Sequence, residues 1–208
     1  MDGTSVQHGI RMSPARDRIA NNPSMEIRRL QPEDAPTYAL LRSAMLEESP
    51  WAFASAPEDG IDVGVIAERL SEPFNVIIGG FDRVDGRLVA SCGVVRERKV
   101  KMDHRAMIWG MYVEPAQRGR GMGEAVLRAA IDAARSWTGV TALTISVSER
   151  GDAARRLYER LGFVSWGVEP RVLRWQGKVY DEVHLQLDLQ AWTRETEHQQ
   201  GDVHGDNR

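Results

Sequence analysis

Apolar residues recur along this chain with two periods, and the switches between them mark its elements. Met25 to Leu30 alternates weakly and predicts an opening strand. Pro32-Glu-Asp then begins a helix whose apolar positions Tyr38, Leu41, Ala44 and Met45 recur at helical spacing, with acids in its first turn. Ser49 to Ser55 is a loop carrying Trp51 and Phe53, expected to be exposed, and a second helix covers about Val63 to Leu70. Phe74 to Phe81 and Arg87 to Arg96 read as strands joined through the hairpin signal Asp85-Gly86. Ala106 to Val113 is the next strand. A helix of at least three turns follows, with Met122, Val126, Ala129, Ala130 and Ala133 on its apolar face and Glu124, Arg128, Asp132 and Arg135 along a polar stripe. Thr141 to Val147 reads as a buried β-branched strand. Asp152 to Leu161 is a short helix ended by Gly162 in the C′ position. Phe163 to Val168 and Val179 to Leu189 are the last strands.

This order predicts a mixed α/β layered domain over 25–190, without internal repeats. Residues 1–24 are polar and broken by Gly3, Gly9, Pro14 and Pro23, which predicts a flexible arm. From Thr193 onward Val203 is the sole aliphatic residue, so 191–208 is expected to be a disordered tail. A length of 208 residues suits one ordinary domain, and 42% apolar content is ample for a core. The net charge of −3 gives no global basic field for nucleic acid. The single cysteine, Cys92, excludes an intrachain disulfide and a cysteine-based zinc cluster, and no metal site is expected. No apolar run reaches the length of a membrane span, and the N-terminus lacks a signal-peptide apolar region. The expectation is a soluble cytoplasmic protein with neither a membrane nor a nucleic-acid partner.

The candidate chemistry gathers where the Ala106–Val113 strand gives way to the long helix. Arg118, Gly119, Arg120, Gly121, Met122 and Gly123 form a basic glycine-rich loop. Glycines let backbone N–H groups approach a ligand without interference from Cβ. The helix opening beside them adds unpaired N–H groups and the positive end of its dipole, an arrangement that suits phosphate oxygens. Two arginines sharpen that preference. No Gly-Lys-Ser/Thr follows, which excludes a Walker A loop. A dinucleotide fold wants G-x-G-x-x-G after a first strand and an acid roughly 20 residues on, which glycines at 119, 121 and 123 do not provide. Arg118, Gly121 and Gly123 do meet the acyl-coenzyme A pattern R-x-x-G-x-G.

A second motif agrees with the first. Ala154-Arg-Arg-Leu157-Tyr158-Glu-Arg-Leu-Gly162-Phe163 is similar to A-x-x-L-Y-x-x-x-G-F, and it stands one helix and one strand beyond Met-Tyr-Val-Glu-Pro and the loop. Together these residues make the chain, over about Ile27 to Leu189, resemble the GNAT superfamily of N-acetyltransferases. The resemblance implies a mostly antiparallel mixed sheet of about six or seven strands, flanked by helices and splayed after the central strand. It implies acetyl transfer from acetyl-CoA to a primary amine, on a small molecule or as a protein amino group, by direct attack in a ternary complex. Met111 N–H would face the acetyl oxygen, Val113 would pair with the pantetheine arm, and residues 118 to 123 would hold the pyrophosphate. Gly110 makes a bulge beside them plausible. Tyr158, on the exposed edge of its helix, would protonate the departing thiolate. Dimers are common in the family, so a homodimer is among the expected assemblies.

Two positions depart from the family pattern. Gly151 stands where an asparagine often helps hold the cofactor arm, and Met107 stands where many members carry a glutamate base. An ammonium with a pKa near 10 must still lose a proton before attack. Glu47 and Glu48 at the end of the first helix, His104, and Glu182 on the last strand are the candidates, directly or through water. Tyr180 and Asp181 lead into that strand near where acceptors lie in the family, and Trp109 and Trp51 could wall an acceptor pocket. Cys92 lies mid-strand, away from the loop, and is a poor covalent carrier. The alternative is a non-catalytic acyl-CoA-binding regulatory module, made plausible by Met107.

Overall fold

A computed structural model of the chain describes residues 24–192. The expected arm lies outside these residues except for Ser24, as does the expected tail from 193 onward. Seven strands form one sheet in the order β1-β2-β3-β4-β5-β7-β6. They are β1 Met25–Arg29, β2 Asn75–Asp82, β3 Leu88–Arg96, β4 Arg105–Val113, β5 Ala142–Ser148, β6 Val164–Trp175 and β7 Lys178–Asp188. Four α-helices lie wholly within the described residues, α1 Ala35–Glu48, α2 Val63–Ser71, α3 Met122–Arg135 and α4 Asp152–Arg160, and residues 189–192 are helical at the end of the described chain. None is long and apolar enough to cross a membrane.

The helices divide between the two faces of the sheet. Tyr38, Leu41, Met45, Ile66 and Leu70 from α1 and α2 pack with Ile77, Phe81 and Tyr112 on one face. Val126, Leu127, Ala130 and Ile131 of α3 pack with Cys92, Val94, Ile108, Ile145 and Leu185 on the other. Of the α3 alanines, Ala125, Ala130 and Ala134 are buried in this core, while Ala129 and Ala133 are partly buried against it. Helix α4 closes as expected. Gly162 takes φ +90°, its N–H bonds to Glu159 O at 3.0 Å, and Phe163 N–H bonds to Tyr158 O at 3.1 Å, the paired bonds of a Schellman cap.

Every neighbouring pair of strands is antiparallel except β4 and β5. That parallel pair needs a crossover, which α3 supplies. Its pairing covers only Arg105↔Ala142, Ala106↔Leu143 and Met107↔Thr144. Beyond Met107 the two strands part, while β5 stays paired with β7 as far as Ser148↔Glu182. The expected splay is therefore present, and it opens toward the loop that follows β4.

Strand β4 also carries a bulge. Ser91 faces Tyr112 and Gly93 faces Trp109, so Cys92 alone stands opposite both Gly110 and Met111. Gly110 has φ +57°, a left-handed conformation that favours glycine. The extra residue reverses the alternation of side chains. Ile108 points into the α3–α4 core, yet Tyr112, an even number of residues on, points into the α1–α2 core.

Two elements differ from expectation. Strand β6 continues past Val168 to Trp175, because Gln176 and Gly177, at φ +47° and +75°, make a two-residue hairpin turn into β7. The chain also stays ordered beyond 190. Asp188 Oδ1 accepts the N–H groups of Gln190 and Ala191, at 2.8 and 3.2 Å, and the turn it caps places Trp192 in the core, beneath the Arg135 guanidinium. The polar composition after Thr193 had drawn the expected boundary too early.

Candidate active site

The gap between β4 and β5 is lined by backbone. Glu114 N–H donates to Val89 O at 2.9 Å, toward β3. Alternation along the strand turns the N–H and C=O groups of Val113 and Met111 the other way, into the gap. Arg118 Nε marks that side by donating to Val113 O at 2.9 Å.

The loop after β4 separates its glycines into two kinds. Gly119 and Gly121 take φ +77° and +85°, and a Cβ on either would meet no atom within 4 Å, so the space over them is open. A Cβ on Gly123 would come within 3.3 Å of Met111 Cε, 3.4 Å of Val113 Cγ2 and 3.6 Å of Leu157 Cδ2. That glycine instead lets the first turn of α3 press against the wall of the gap. Gly121 caps α3 without a side chain, and the first intrahelical bond runs from Ala125 N–H to Gly121 O. The N–H groups of Met122, Gly123 and Glu124 are thus left without helical acceptors beside the open space. Met122 contributes only its backbone there, since its side chain is buried in the core. An acyl-CoA diphosphate fits this cradle: two glycines leave the room that a Cβ would fill, and a helix start presents the donors.

The two loop arginines behave differently. Arg118 is not free over the loop. Its guanidinium reaches across to the end of α1 and holds both carboxylate oxygens of Glu48, at 2.9 and 3.3 Å. The hydrogen bond from Arg118, with another from Ser49 Oγ, keeps the Glu48 carboxyl below its usual pKa against the opposing effect of burial. Arg120 is exposed, and among the described residues its side chain bonds to Gln117 Oε1 alone, at 2.9 Å.

Tyr158 is not on an exposed edge. It is 4% exposed, because the spacing of Ala154, Tyr158 and Leu161 turns this side of α4 inward, and its ring lies 6.1 Å from Phe163. Burial pushes its phenol above the usual range, and the Cys92 thiol adds to the effect. Tyr38 on α1 is also buried and shifted upward by burial, against the lowering effect of Arg42. The two phenols belong to the cores on opposite faces of the sheet, and the Tyr38 hydroxyl lies 3.7 Å from where a Cβ on Gly110 would stand. The Cys92 thiol, buried and pushed upward itself, is held as a neutral thiol.

The candidate bases lie apart. Glu47 is exposed and accepts a hydrogen bond from Ser43 Oγ at 3.3 Å. With Glu48, Tyr112 and Glu114 it lines an open depression of about 540 Å³ beside the loop. Glu182 sits on β7 beside Ser148, at the mouth of the splay, with Glu169 directly opposite on β6. His104 precedes β4, at the end remote from the loop, and a nine-residue strand is about 30 Å long, so the structure separates it from the site. Met107 is 42% exposed and offers no proton acceptor.

Trp109 lies flat over Gly93, where a Cβ would come within 2.4 Å of the indole. Arg150, which sequence reasoning passed over, joins two of the expected aromatic residues. Its guanidinium lies 5.1 Å from the Trp51 ring and 6.0 Å from the Tyr180 ring, linking the loop after α1 to β7. An arginine in a polar turn carries no sequence signal for this. Trp51 and Phe53 are half-buried rather than exposed. Asp181 uses its carboxylate to accept the Arg171 N–H at 2.8 Å, which fixes a bulged residue of β6 at φ +60°. Gly151 leaves no room for a side chain, since a Cβ would lie 2.4 Å from Val147 Cγ2.

Residues 38–163 match the model of the acetyltransferase (GNAT) family. The N-alpha-acetyltransferase RimI of Mycobacterium tuberculosis is 34% identical over 110 residues, covering 52% of this chain and 65% of that protein. Mycothiol acetyltransferase of Salinispora tropica is 30% identical over 118 residues, 55% of this chain and 38% of that protein. The chain spans 38% to 65% of the length of the curated relatives it matches. Among solved structures, yncA of Salmonella typhimurium, a putative acetyltransferase solved with its cofactor acetyl-CoA, superposes with a TM-score of 0.68 at 21% identity, covering 80% of this chain and 94% of that one.

Proposed function

Because this chain belongs to the acetyltransferase (GNAT) family, we propose that it transfers an acetyl group from acetyl-CoA to a primary amine by direct attack within a ternary complex. One observation carries the reading: an open, left-handed glycine cradle at the start of α3 stands at the end of a splay into which Met111 and Val113 turn their backbone groups. Acetyl-CoA supplies an acyl thioester. The amides of residues 119 to 124 hold its diphosphate, Arg120 adds charge from the rim, and Val113 pairs with its pantetheine arm. Arg118 braces the loop against α1 rather than gripping phosphate.

Met111 N–H donates to the thioester oxygen, where charge grows as the amine attacks. Tyr158, kept neutral by burial, donates its proton to the sulfur as the C–S bond breaks. Glu182 or Glu47, through water, takes the proton that the amine gives up. Trp109, Trp51 and Tyr180 wall the acceptor side. The relatives named for N-alpha and mycothiol acetylation support an amine acceptor. Glu48 and Glu114 at the depression are already paired with Arg118 and Arg87, and the Glu47 carboxylate, which has no arginine partner among the described residues, favours an acceptor that carries positive charge.

Calorimetry with acetyl-CoA, followed by free-thiol release with a panel of amines, tests the reading. Binding with turnover of at least one amine is expected. No heat at millimolar acetyl-CoA with folded protein overturns it. Binding without turnover of any amine favours instead a regulatory acyl-CoA-binding module, the reading that Met107 at the strand-glutamate position supports.

A further inference from the structure

Strand β3 contains one hydroxyl in an otherwise apolar run, Leu-Val-Ala-Ser-Cys-Gly-Val-Val, and that residue, Ser91, has no solvent exposure. A buried hydroxyl costs stability unless it is bonded. Ser91 Oγ is bonded at one place, donating to Gly110 O at 3.1 Å. Gly110 is the bulged residue, and its carbonyl belongs to the same peptide unit as Met111 N–H. In a trans peptide these two groups point in opposite directions, and no cis peptide is present among the described residues. A carbonyl held toward β3 by Ser91 therefore directs Met111 N–H away from β3, into the splay.

At a bulge the ladder is locally disrupted and no longer fixes the tilt of that peptide. Glycine at φ +57° leaves the peptide freer still. The Ser91 hydroxyl supplies the restraint that the ladder lacks. Donation to the carbonyl also polarises the peptide, which strengthens its N–H as a donor.

We infer that Ser91 is a positioning residue for acetyl transfer: by holding the Gly110 carbonyl it aims and polarises the Met111 N–H that faces the thioester oxygen. The inference rests on the reading of acetyl-CoA chemistry given above. It predicts that Ser91 acts on the reacting carbonyl and not on the grip of the cofactor.

Ser91→Ala and the near-isosteric Ser91→Cys, a weaker donor, test it against Ser91→Thr, which keeps the hydroxyl. Each variant is checked for folding, for acetyl-CoA affinity by calorimetry, and for kcat with an accepted amine. The infrared stretch of bound acetyl-CoA labelled with carbon-13 at the acetyl carbonyl provides a readout without turnover. Removing an oxyanion donor outright costs about 10²- to 10³-fold in kcat, so a misaimed donor should cost about tenfold or more. Affinity should stay within a few-fold, the carbonyl band of the Ala and Cys variants should move to higher frequency, and Thr should restore both readouts. A folded Ala or Cys variant with wild-type kcat and an unmoved band overturns the inference alone. So does a variant that loses affinity with kcat intact. Absence of acetyl-CoA binding in the wild-type protein overturns this inference together with the reading it rests on.

Discussion

Replacing Gly121 by alanine separates the conformational role of the loop from its binding role. Gly121 lies at φ +85°, ψ −4°, a region that costs an L-residue about 1–2 kcal/mol. The added methyl meets nothing within 4 Å in the protein, so that strain is the whole expected loss of stability. At about 2–4 °C per kcal/mol for a chain of this size, the midpoint should fall by a few degrees. The same methyl would project into the space assigned to the diphosphate, and displacing hydrogen bonds to a charged group costs about 1.5–3 kcal/mol each. Acetyl-CoA affinity should therefore fall by about one to two orders of magnitude. Gly86→Ala is the matched control: φ is +71°, a Cβ again meets nothing within 4 Å, and the β2–β3 hairpin it turns meets Glu114 and Gln117 through Arg87 and Asp82 rather than the glycines of the loop. It should lose similar stability and bind acetyl-CoA normally. Calorimetry and thermal melts on the two variants decide the matter. If Gly121→Ala binds as tightly as Gly86→Ala, the loop is not a diphosphate cradle and the reasoning fails.

Three further outcomes follow from the geometry. Tyr158→Phe should lower kcat by about 10²-fold, the lower range for a lost general acid, with acetyl-CoA affinity unchanged by calorimetry; wild-type turnover would remove the tyrosine from the chemistry. Glu48→Gln should remove a partly exposed ion pair worth up to about 1 kcal/mol. The folded Glu48 carboxyl lies below its usual 4.5, so the contribution is complete above that value and fades as pH falls through the folded one. Melts of wild type and variant should accordingly converge on acidification, and a gap that widens would show the sign to be wrong. Gly151→Asn should destabilise the fold by about 1–3 kcal/mol through overpacking against Val147, and adding Val147→Ala should recover part of the loss in the same denaturation assay.

Much of this site could be read from residue order because its parts are local. The loop, the helix start and the closing cap of α4 depend on glycines and spacing within a few positions. Even the bulge was legible, since Gly110 interrupts a strand where a β-branched residue would be expected. Pairings across the fold were not legible. Arg118 lies in a phosphate-like motif, but its partner Glu48 is 70 positions away and reaches it only through packing of α1. The burial of Tyr158 depends on the sheet beneath α4, and the stacking of Arg150 between Trp51 and Tyr180 depends on three separate segments. Trp192 was misjudged for a different reason: a single aromatic at the edge of a polar stretch carries little compositional weight, yet it fills the end of a core.

The surplus residue at Gly110 also sets a rule of parity for this strand. With it, Met111 and Val113 belong to one layer of the molecule and Tyr112 to the other. Trimming one residue there would exchange those allegiances downstream, sending an aromatic ring toward α3 and two aliphatic chains toward α1. Length changes between Ile108 and Tyr112 can thus be absorbed only in steps of two, and a homologous stretch with an odd difference would have to build its loop on the opposite side of the sheet.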